Sequence, residues 1–194
     1  MRVISGSARG TVLHSIEDIS TRPTLDRVKE SLFNIIQGRV EDATVLDLFA
    51  GSGAIGIECL SRRAEKAYFC DKSKDAVKMI EKNLEKTRLK EKAVIYNKDY
   101  IDCINTVSNQ KFDIIFLDPP YKEEFALDAI ERMSELKLLK DEGIIIIETD
   151  EPKRDIERIN KMNINYKMYD LRKYGRVSLI FLKWKGKTWR YLPC

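Results

Sequence analysis

The sequence predicts an α/β fold: a Rossmann-like, mostly parallel sheet closed by an antiparallel strand, preceded by a small N-terminal hairpin and helix. Three observations carry this. From Thr44 onward short apolar runs alternate with amphipathic stretches, and strand–helix alternation implies right-handed crossovers and a parallel sheet covered on both faces. The first apolar run leaves through three glycines, Gly51, Gly53 and Gly56. An acid, Asp71, closes the second run.

Residues 1–43 read as an extension. Val3–Gly6 and Thr11–His14 flank Ser7-Ala8-Arg9-Gly10 as a hairpin. Thr24, preceded by Pro23, reads as a helix N-cap, with Leu25, Val28, Leu32, Ile35 and Ile36 on one face until Gly38 stops the helix. Residues 44–194 form the main domain. Its candidate strands are Thr44–Phe49, Lys66–Cys70, Ala93–Asn97, Phe112–Leu117 and Gly143–Glu148. Between them helical patterns cover Gly53–Arg62, Ser73–Arg88, Tyr100–Val107 and Glu124–Leu138. A further helix at Pro152–Asn160 precedes an antiparallel pair, Asn165–Arg172 and Arg176–Trp184. In such a sheet ligands bind beyond the carboxyl ends of the strands.

Composition removes several classes of function. With 194 residues, 43% apolar and 34% charged, the chain is sized for one globular domain with an appendage. No apolar run exceeds four residues, the length of Ile114–Leu117 and Ile144–Ile147, against the ~20 that span a bilayer. The start of the chain lacks the apolar stretch of a secretory signal, so a cytoplasmic location is expected. Cys59, Cys70, Cys103 and Cys194 contain no Cys-x-x-Cys pair and read as buried small hydrophobes. With His14 the single histidine, no metal centre is expected, and carboxylates, backbone groups or a cofactor must carry the chemistry.

The net charge of +4 is unevenly spread. Basic and acidic residues number six against six in residues 1–43, 17 against 21 in 44–150, and 12 against 4 in 151–194. From Lys161 to Cys194 nine basic residues face a single acid, Asp170, among Tyr166, Tyr169, Tyr174, Trp184, Trp189 and Tyr191. Such a surface suits a polyanion. The alternative is a pair of edge strands blunted by lysine.

Two constellations carry chemistry. The first runs from Asp47 through Phe49 to Gly56, a strand entering a helix through glycines that let the backbone turn tightly and approach a ligand. Asp71, twenty residues after Gly51, stands where a carboxylate accepts hydrogen bonds from ribose hydroxyls. The pattern matches the dinucleotide fingerprint, so a nicotinamide-dependent dehydrogenase is one reading. Asp47 tilts the choice away from it: a carboxylate at the strand tip attracts a cationic amine and repels a pyrophosphate. S-adenosylmethionine carries an ammonium, a sulfonium, a ribose and an adenine, and no phosphate. The alternative for Asp47 is a carboxylate satisfied by loop N–H groups. Asp99, with Tyr100 beside it, is placed to reach an adenine amine or to cap the next helix.

The second constellation is Asp118-Pro119-Pro120-Tyr121 after a buried strand. Two prolines remove two donors and stiffen the exit, leaving the Asp118 carboxylate and the Pro119 carbonyl as fixed acceptors. Acceptors on both N–H groups of an exocyclic amine favour its pyramidal form and aim the lone pair. Tyr121 would stack on the base.

Asp-x-Phe-Ala-Gly-Ser-Gly followed by Asp-Pro-Pro-Tyr resembles class I S-adenosylmethionine-dependent methyltransferases acting on exocyclic amines. Thr21-Arg22-Pro23-Thr24, Asp26-Arg27-Val28, Glu30-Ser31-Leu32-Phe33, then Asp47 to Gly56 with Glu58, Ser61 and Arg62, resemble the RsmD family. The similarity runs from Arg2-Val3-Ile4-Ser5-Gly6 to Tyr174-Gly175 and departs at Cys59, where alanine is commoner. It implies 16S rRNA (guanine(966)-N(2))-methyltransferase activity. By position it implies that Asp47, Phe49, Gly51, Gly53, Asp71, Asp99 and Tyr100 hold the cofactor, and that Asp118, Pro119 and Tyr121 orient the guanine. Arg22 and Arg27 are RNA contacts or solvent-exposed helix-end arginines. The target base must leave its stack, which favours a loop nucleotide. The small RNA-binding surface leads us to expect a partner that is 16S rRNA in the small ribosomal subunit or an assembly intermediate with ribosomal proteins. Among other readings, a DNA adenine methyltransferase needs a larger recognition domain than ~40 residues provide. A protein-glutamine methyltransferase uses Asn where Asp118 stands. The dehydrogenase explains only the glycines and Asp71, and a non-enzymatic RNA-binding module leaves Asp47, Asp118 and Tyr121 without a role.

Overall fold

Val45, Leu46, Ile114, Ile115, Ile145 and Ile146 are fully buried, so the strands that carry them are apolar on both faces. Strands of that kind need helices on either side of the sheet. The structure, a computed structural model, describes residues 1–15, 22–120 and 125–185, with these strands at the centre of a seven-stranded sheet. In chain order the elements are α1 (Arg22–Ile36), β1 (Thr44–Asp47), α2 (Ala54–Ser61), β2 (Lys66–Asp71), α3 (Lys74–Thr87), β3 (Ala93–Asn97), α4 (Tyr100–Thr106), β4 (Phe112–Leu117), α5 (Phe125–Glu135), β5 (Leu139–Thr149), α6 (Pro152–Lys161), β6 (Tyr166–Tyr174) and β7 (Val177–Trp184).

The strand order is β3-β2-β1-β4-β5-β7-β6. Pairing is parallel from β3 to β5, and β7 is antiparallel to both of its neighbours. Val45, Phe69, Ile114, Ile146 and Phe181 pack on one face against Leu32, Phe33 and Ile36 of α1, Ile57 of α2 and Ile80 and Leu84 of α3. Leu46, Ile115, Leu117, Ile147 and Leu182 pack on the other against Ile104 of α4, Ile130 and Met133 of α5 and Ile159 of α6.

The N-terminal segment is fastened to α2. Glu58, fully buried, accepts hydrogen bonds from the Ile4 N–H (2.8 Å), the Ser5 N–H (3.0 Å) and Arg62 Nε (2.8 Å), and pairs with Lys29 Nζ at 3.2 Å. Lys29 also donates to the Arg2 carbonyl (2.5 Å). Ser61 Oγ donates to the Ser5 carbonyl (2.6 Å) and accepts from the Ala8 N–H (3.0 Å). Gly6 (φ +84°) fits this contact because any Cβ there would stand 1.8 Å from the Ser61 carbonyl oxygen.

Several boundaries differ from expectation. The N-terminal hairpin is one antiparallel bridge, Arg2 to Val12, within a tight turn. Helix α1 begins at Arg22 rather than after a Thr24 cap, since Pro23 is tolerated in a first turn whose N–H groups have no helical acceptor. Strand β1 ends at Asp47, before Phe49. Strand β5 starts at Leu139, four residues before Gly143. Lys140, Asp141 and Glu142 hide that start from a hydrophobicity reading, and Gly143 passes so close to Leu139 that a Cβ would lie 2.7 Å from its side chain. Among the described residues no helix is long and apolar enough to cross a membrane, and no group of three potential metal ligands is found.

Candidate active site

The carboxyl ends of β2, β1 and β4 lie side by side, and each carries an aspartate. In register Asp47 of β1 stands opposite Phe69 of β2 and Phe116 of β4, so Asp71 and Asp118 each lie two residues further along a flanking strand. That places the Cα atoms of each flanking pair roughly 8 Å apart, from a rise of ~3.3 Å per residue and a strand spacing of ~4.8 Å.

Asp47 is 2% exposed. Its Oδ2 accepts one hydrogen bond, from the Gly56 N–H at 3.1 Å, and its Oδ1 has no donor among the described residues. Burial pushes the carboxyl up to about 7, with the nearby Asp71 charge adding to the rise and the Gly56 N–H opposing it. The loop above it turns through Gly51 (φ +53°) and Gly53 (φ +76°), left-handed conformations that L side chains resist. Gly51 has nothing within 4 Å of a Cβ position, whereas Gly53 faces Ile80 at 3.2 Å. Gly56 is bound to its position because a Cβ would lie 2.2 Å from the Phe69 ring.

Asp71 accepts from the Gly51 N–H (2.9 Å) at Oδ2 and from the Ser73 N–H (2.9 Å) at Oδ1. It therefore braces the glycine loop across the strand gap. Asp99 caps α4, accepting from the Ile101 N–H at 3.1 Å, so the cap reading of this residue holds and one oxygen remains for other work. Tyr100 stacks at a tilt between Phe49 (5.5 Å) and Phe125 (5.0 Å), with Lys72 Nζ 5.6 Å from the Phe125 centroid. Its hydroxyl donates to Asp128 at 3.3 Å.

Asp118 is exposed just past β4, with Pro119 buried beside it. Tyr121 lies outside the described residues. So does the side chain of Arg22, whereas Arg27 stands exposed on α1. The structure thus brings Asp47, Phe49, Gly51, Gly53, Asp71, Asp99, Tyr100, Asp118 and Pro119 to one edge of the sheet and leaves Arg27 exposed on α1.

The residues suit a cationic, phosphate-free nucleoside. A buried carboxylate with an oxygen left over calls for a cation, and no lysine or arginine pairs with Asp47 or Asp71 among the described residues to offset a pyrophosphate.

The profile of the family described as conserved hypothetical protein 95 matches residues 1–183. The Bacillus subtilis (strain 168) protein YlbH is 40% identical over 159 residues, 81% of this chain and 85% of that one. Ribosomal RNA small subunit methyltransferase D of Haemophilus influenzae is 38% identical over 155 residues, 79% of this chain and 80% of that one. The chain belongs to the RsmD family. Among solved structures, yhhF from Escherichia coli superposes with a TM-score of 0.77 at 28% identity, covering 96% of this chain and 99% of that one.

Several supporting residues of this RsmD-family methyltransferase escape a reading of the sequence. Asn83, fully buried on α3, donates to the Ser52 carbonyl of the glycine loop (2.9 Å) and to the His14 carbonyl (3.0 Å), and accepts from the His14 N–H (2.8 Å). Its signal was an amide on the same helical face as Ile80, Leu84 and Thr87. Asn97 donates to the Asp71 and Lys72 carbonyls (both 3.1 Å) and fixes the turn after β2. Glu58, Ser61 and Arg62, which the sequence marked by motif without a role, are clasps for the N-terminal segment, with the Arg62 guanidinium 4.7 Å over Phe33.

Proposed function

We propose that this methyltransferase transfers a methyl group from S-adenosylmethionine to the exocyclic amine of a guanine in small-subunit rRNA. The observation that carries the reading is the row of three aspartates on adjacent strand tips, with the Asp118-Pro119 pair at its outer end.

The cofactor supplies an electrophilic methyl group on a sulfonium. The glycine loop and the Asp47 carboxylate hold its ammonium end, Asp71 its ribose, and Asp99 with Phe49 and Tyr100 its adenine. A base-ring amine is a poor nucleophile because its lone pair is delocalised. The Asp118 carboxylate and the Pro119 carbonyl each accept one of its N–H groups, which localises the lone pair and orients it. As the new N–C bond forms the methyl–sulfur bond breaks, its electron pair staying on the sulfur of the departing thioether, S-adenosylhomocysteine; one amine proton is lost, and the exposed Asp118 carboxylate would receive it and release it to water. Tyr121 stacks on the flipped base, and residues 1–43, with Arg22 and Arg27, contact RNA flanking the target. The little surface available for RNA outside the site favours an assembled particle with its ribosomal proteins over naked rRNA.

Methyl incorporation into naked 16S rRNA and into small-subunit particles, followed by mass spectrometry of the nucleosides, tests this. Methylated guanine formed faster on particles is expected; equal rates would remove the particle, and methylation of another base would remove the guanine assignment. Asp118→Ala should bind S-adenosylhomocysteine normally in calorimetry and lose at least about a hundredfold in transfer rate. Loss of binding as well would show that the two subsites are not separate. A thermal-shift response to NAD in place of S-adenosylhomocysteine would favour the dehydrogenase.

A further inference from the structure

The basic C-terminal stretch, continuous in sequence, is divided by the fold. Edge strand β6 pairs antiparallel with β7, with Lys167 opposite Lys183 and Lys173 opposite Ser178. Because Ser178 also pairs with Thr149, the last residue of β5, Lys173 stands at the carboxyl edge of the parallel strands, whereas Lys167 and Lys183 lie towards the opposite edge. Arg172 is held by Asp170 at 2.9 Å, and Lys183 lies 5.2 Å from the Tyr169 centroid. Two of the aromatics are structural: the Tyr166 hydroxyl donates to the Met133 carbonyl (3.0 Å), and Trp184 Nε1 donates to the Leu139 (3.1 Å) and Lys140 (3.0 Å) carbonyls. Lys187, Trp189, Arg190 and Tyr191 lie outside the described residues.

Lys173 and Arg176, both exposed and without a carboxylate partner among the described residues, stand on either side of the Tyr174-Gly175 turn. They border a cleft of about 380 Å³ whose other walls are Asp150, Pro152, Gly175 and Ser178. Gly175 (φ +64°) has nothing within 4 Å of a Cβ position, so the cleft is open to a close approach on that side. β4, β5, β7 and β6 are consecutive in the sheet, so this cleft shares an edge with Asp118, about three strand spacings of ~4.8 Å away. The same RNA segment can reach both.

We infer that the cleft holds one nucleotide of the RNA strand flanking the target guanine, with its phosphate on Lys173 and Arg176. This rests on the function proposed above and deepens it. The volume lies at the small end of ligand sites and matches one nucleotide. Arginine offers a planar fork for two phosphate oxygens and lysine a point charge. Asp150 would repel an isolated phosphate ion but accepts a hydrogen bond from a ribose hydroxyl or a base amine, which selects a nucleotide over an inorganic anion.

The test compares Lys173→Ala/Arg176→Ala with wild type and with Lys161→Ala/Lys167→Ala, which removes the same charge elsewhere. Small-subunit particles are the substrate. The first variant should raise KM about tenfold, leave kcat within about twofold, keep S-adenosylhomocysteine affinity, and flatten the salt dependence of log(kcat/KM) by about one. The second should match wild type. An unchanged KM and salt slope in the first variant, or an equal loss in both, would overturn the proposal. If wild type leaves rRNA unmethylated, the parent function fails and this inference with it, a result visible in the wild-type arm alone.

Discussion

Replacing Asp47 with asparagine removes a buried carboxyl that burial has pushed up to about 7. In the unfolded chain the same group ionises near 3.9. Between these values the folded protein holds one proton more than the unfolded chain at this site, so the stability that this group contributes is fully present below about pH 4 and is lost as pH rises through about 7. At 1.36 kcal/mol per tenfold, the whole change amounts to about 4 kcal/mol, of which about 2–3 kcal/mol falls between pH 5 and pH 8. Urea denaturation of the ligand-free protein at these two pH values should therefore show wild type losing about 2–3 kcal/mol more than Asp47→Asn. A constant offset from the new amide cancels in the difference. The ammonium of a saturating ligand favours the ionised form, so S-adenosylhomocysteine should bind wild type more tightly as pH rises from 6 to 8, and asparagine should abolish that trend. Parallel stability profiles for the two proteins would refute the reasoning, because Asp47 would then ionise alike folded and unfolded.

Other perturbations probe the supports of the site. Glu58→Gln leaves Lys29, which is 2% exposed, without its counter-charge, and should cost about 3–5 kcal/mol in urea denaturation. Gly56→Ala drives a methyl to 2.2 Å from the Phe69 ring and should lower stability by about 1–3 kcal/mol, read as a fall in Tm. Asn83→Leu removes the donor to the Ser52 carbonyl. It should weaken S-adenosylhomocysteine binding about tenfold in calorimetry, the loss expected when a buried acceptor is left unpaired.

The strands most legible in the sequence were those whose apolar run is bounded by polar residues at both ends. Ala93–Asn97 and Phe112–Leu117 are found at their expected limits. The first residues of β5 were not legible, because Lys140, Asp141 and Glu142 lie in an irregular stretch between the Phe112–Leu139 and Ile114–Ile144 pairs rather than in an apolar run. Asp99 shows why local readings succeed: a cap bond reaches only two residues along the chain, so spacing alone contains it. Glu58 shows the opposite, since its partners Ile4 and Ser5 are 54 and 53 residues away. Motif resemblance marked Glu58 without saying what it does. Lys173 and Lys167 looked equivalent in a charge count, and only strand direction assigns them to different edges of the sheet.

The fastening of the first fifteen residues has a consequence for the order in which the chain acquires its structure. His14 meets its side-chain partner Asn83 across 69 residues, and Ile4 waits for Glu58. A ribosome releasing this chain therefore exposes Val3, Ala8 and Leu13, all buried in the finished protein, well before α2 and α3 exist to cover them. Closing so long a loop adds little free energy, about 0.6 kcal/mol for each doubling of length, but non-local contacts slow folding. Residues 1–15 therefore cannot take up their final contacts until α2 and α3 have been made, and a bulky group fused before Arg2 would lie beside the segment that Glu58 and Lys29 hold in the finished protein.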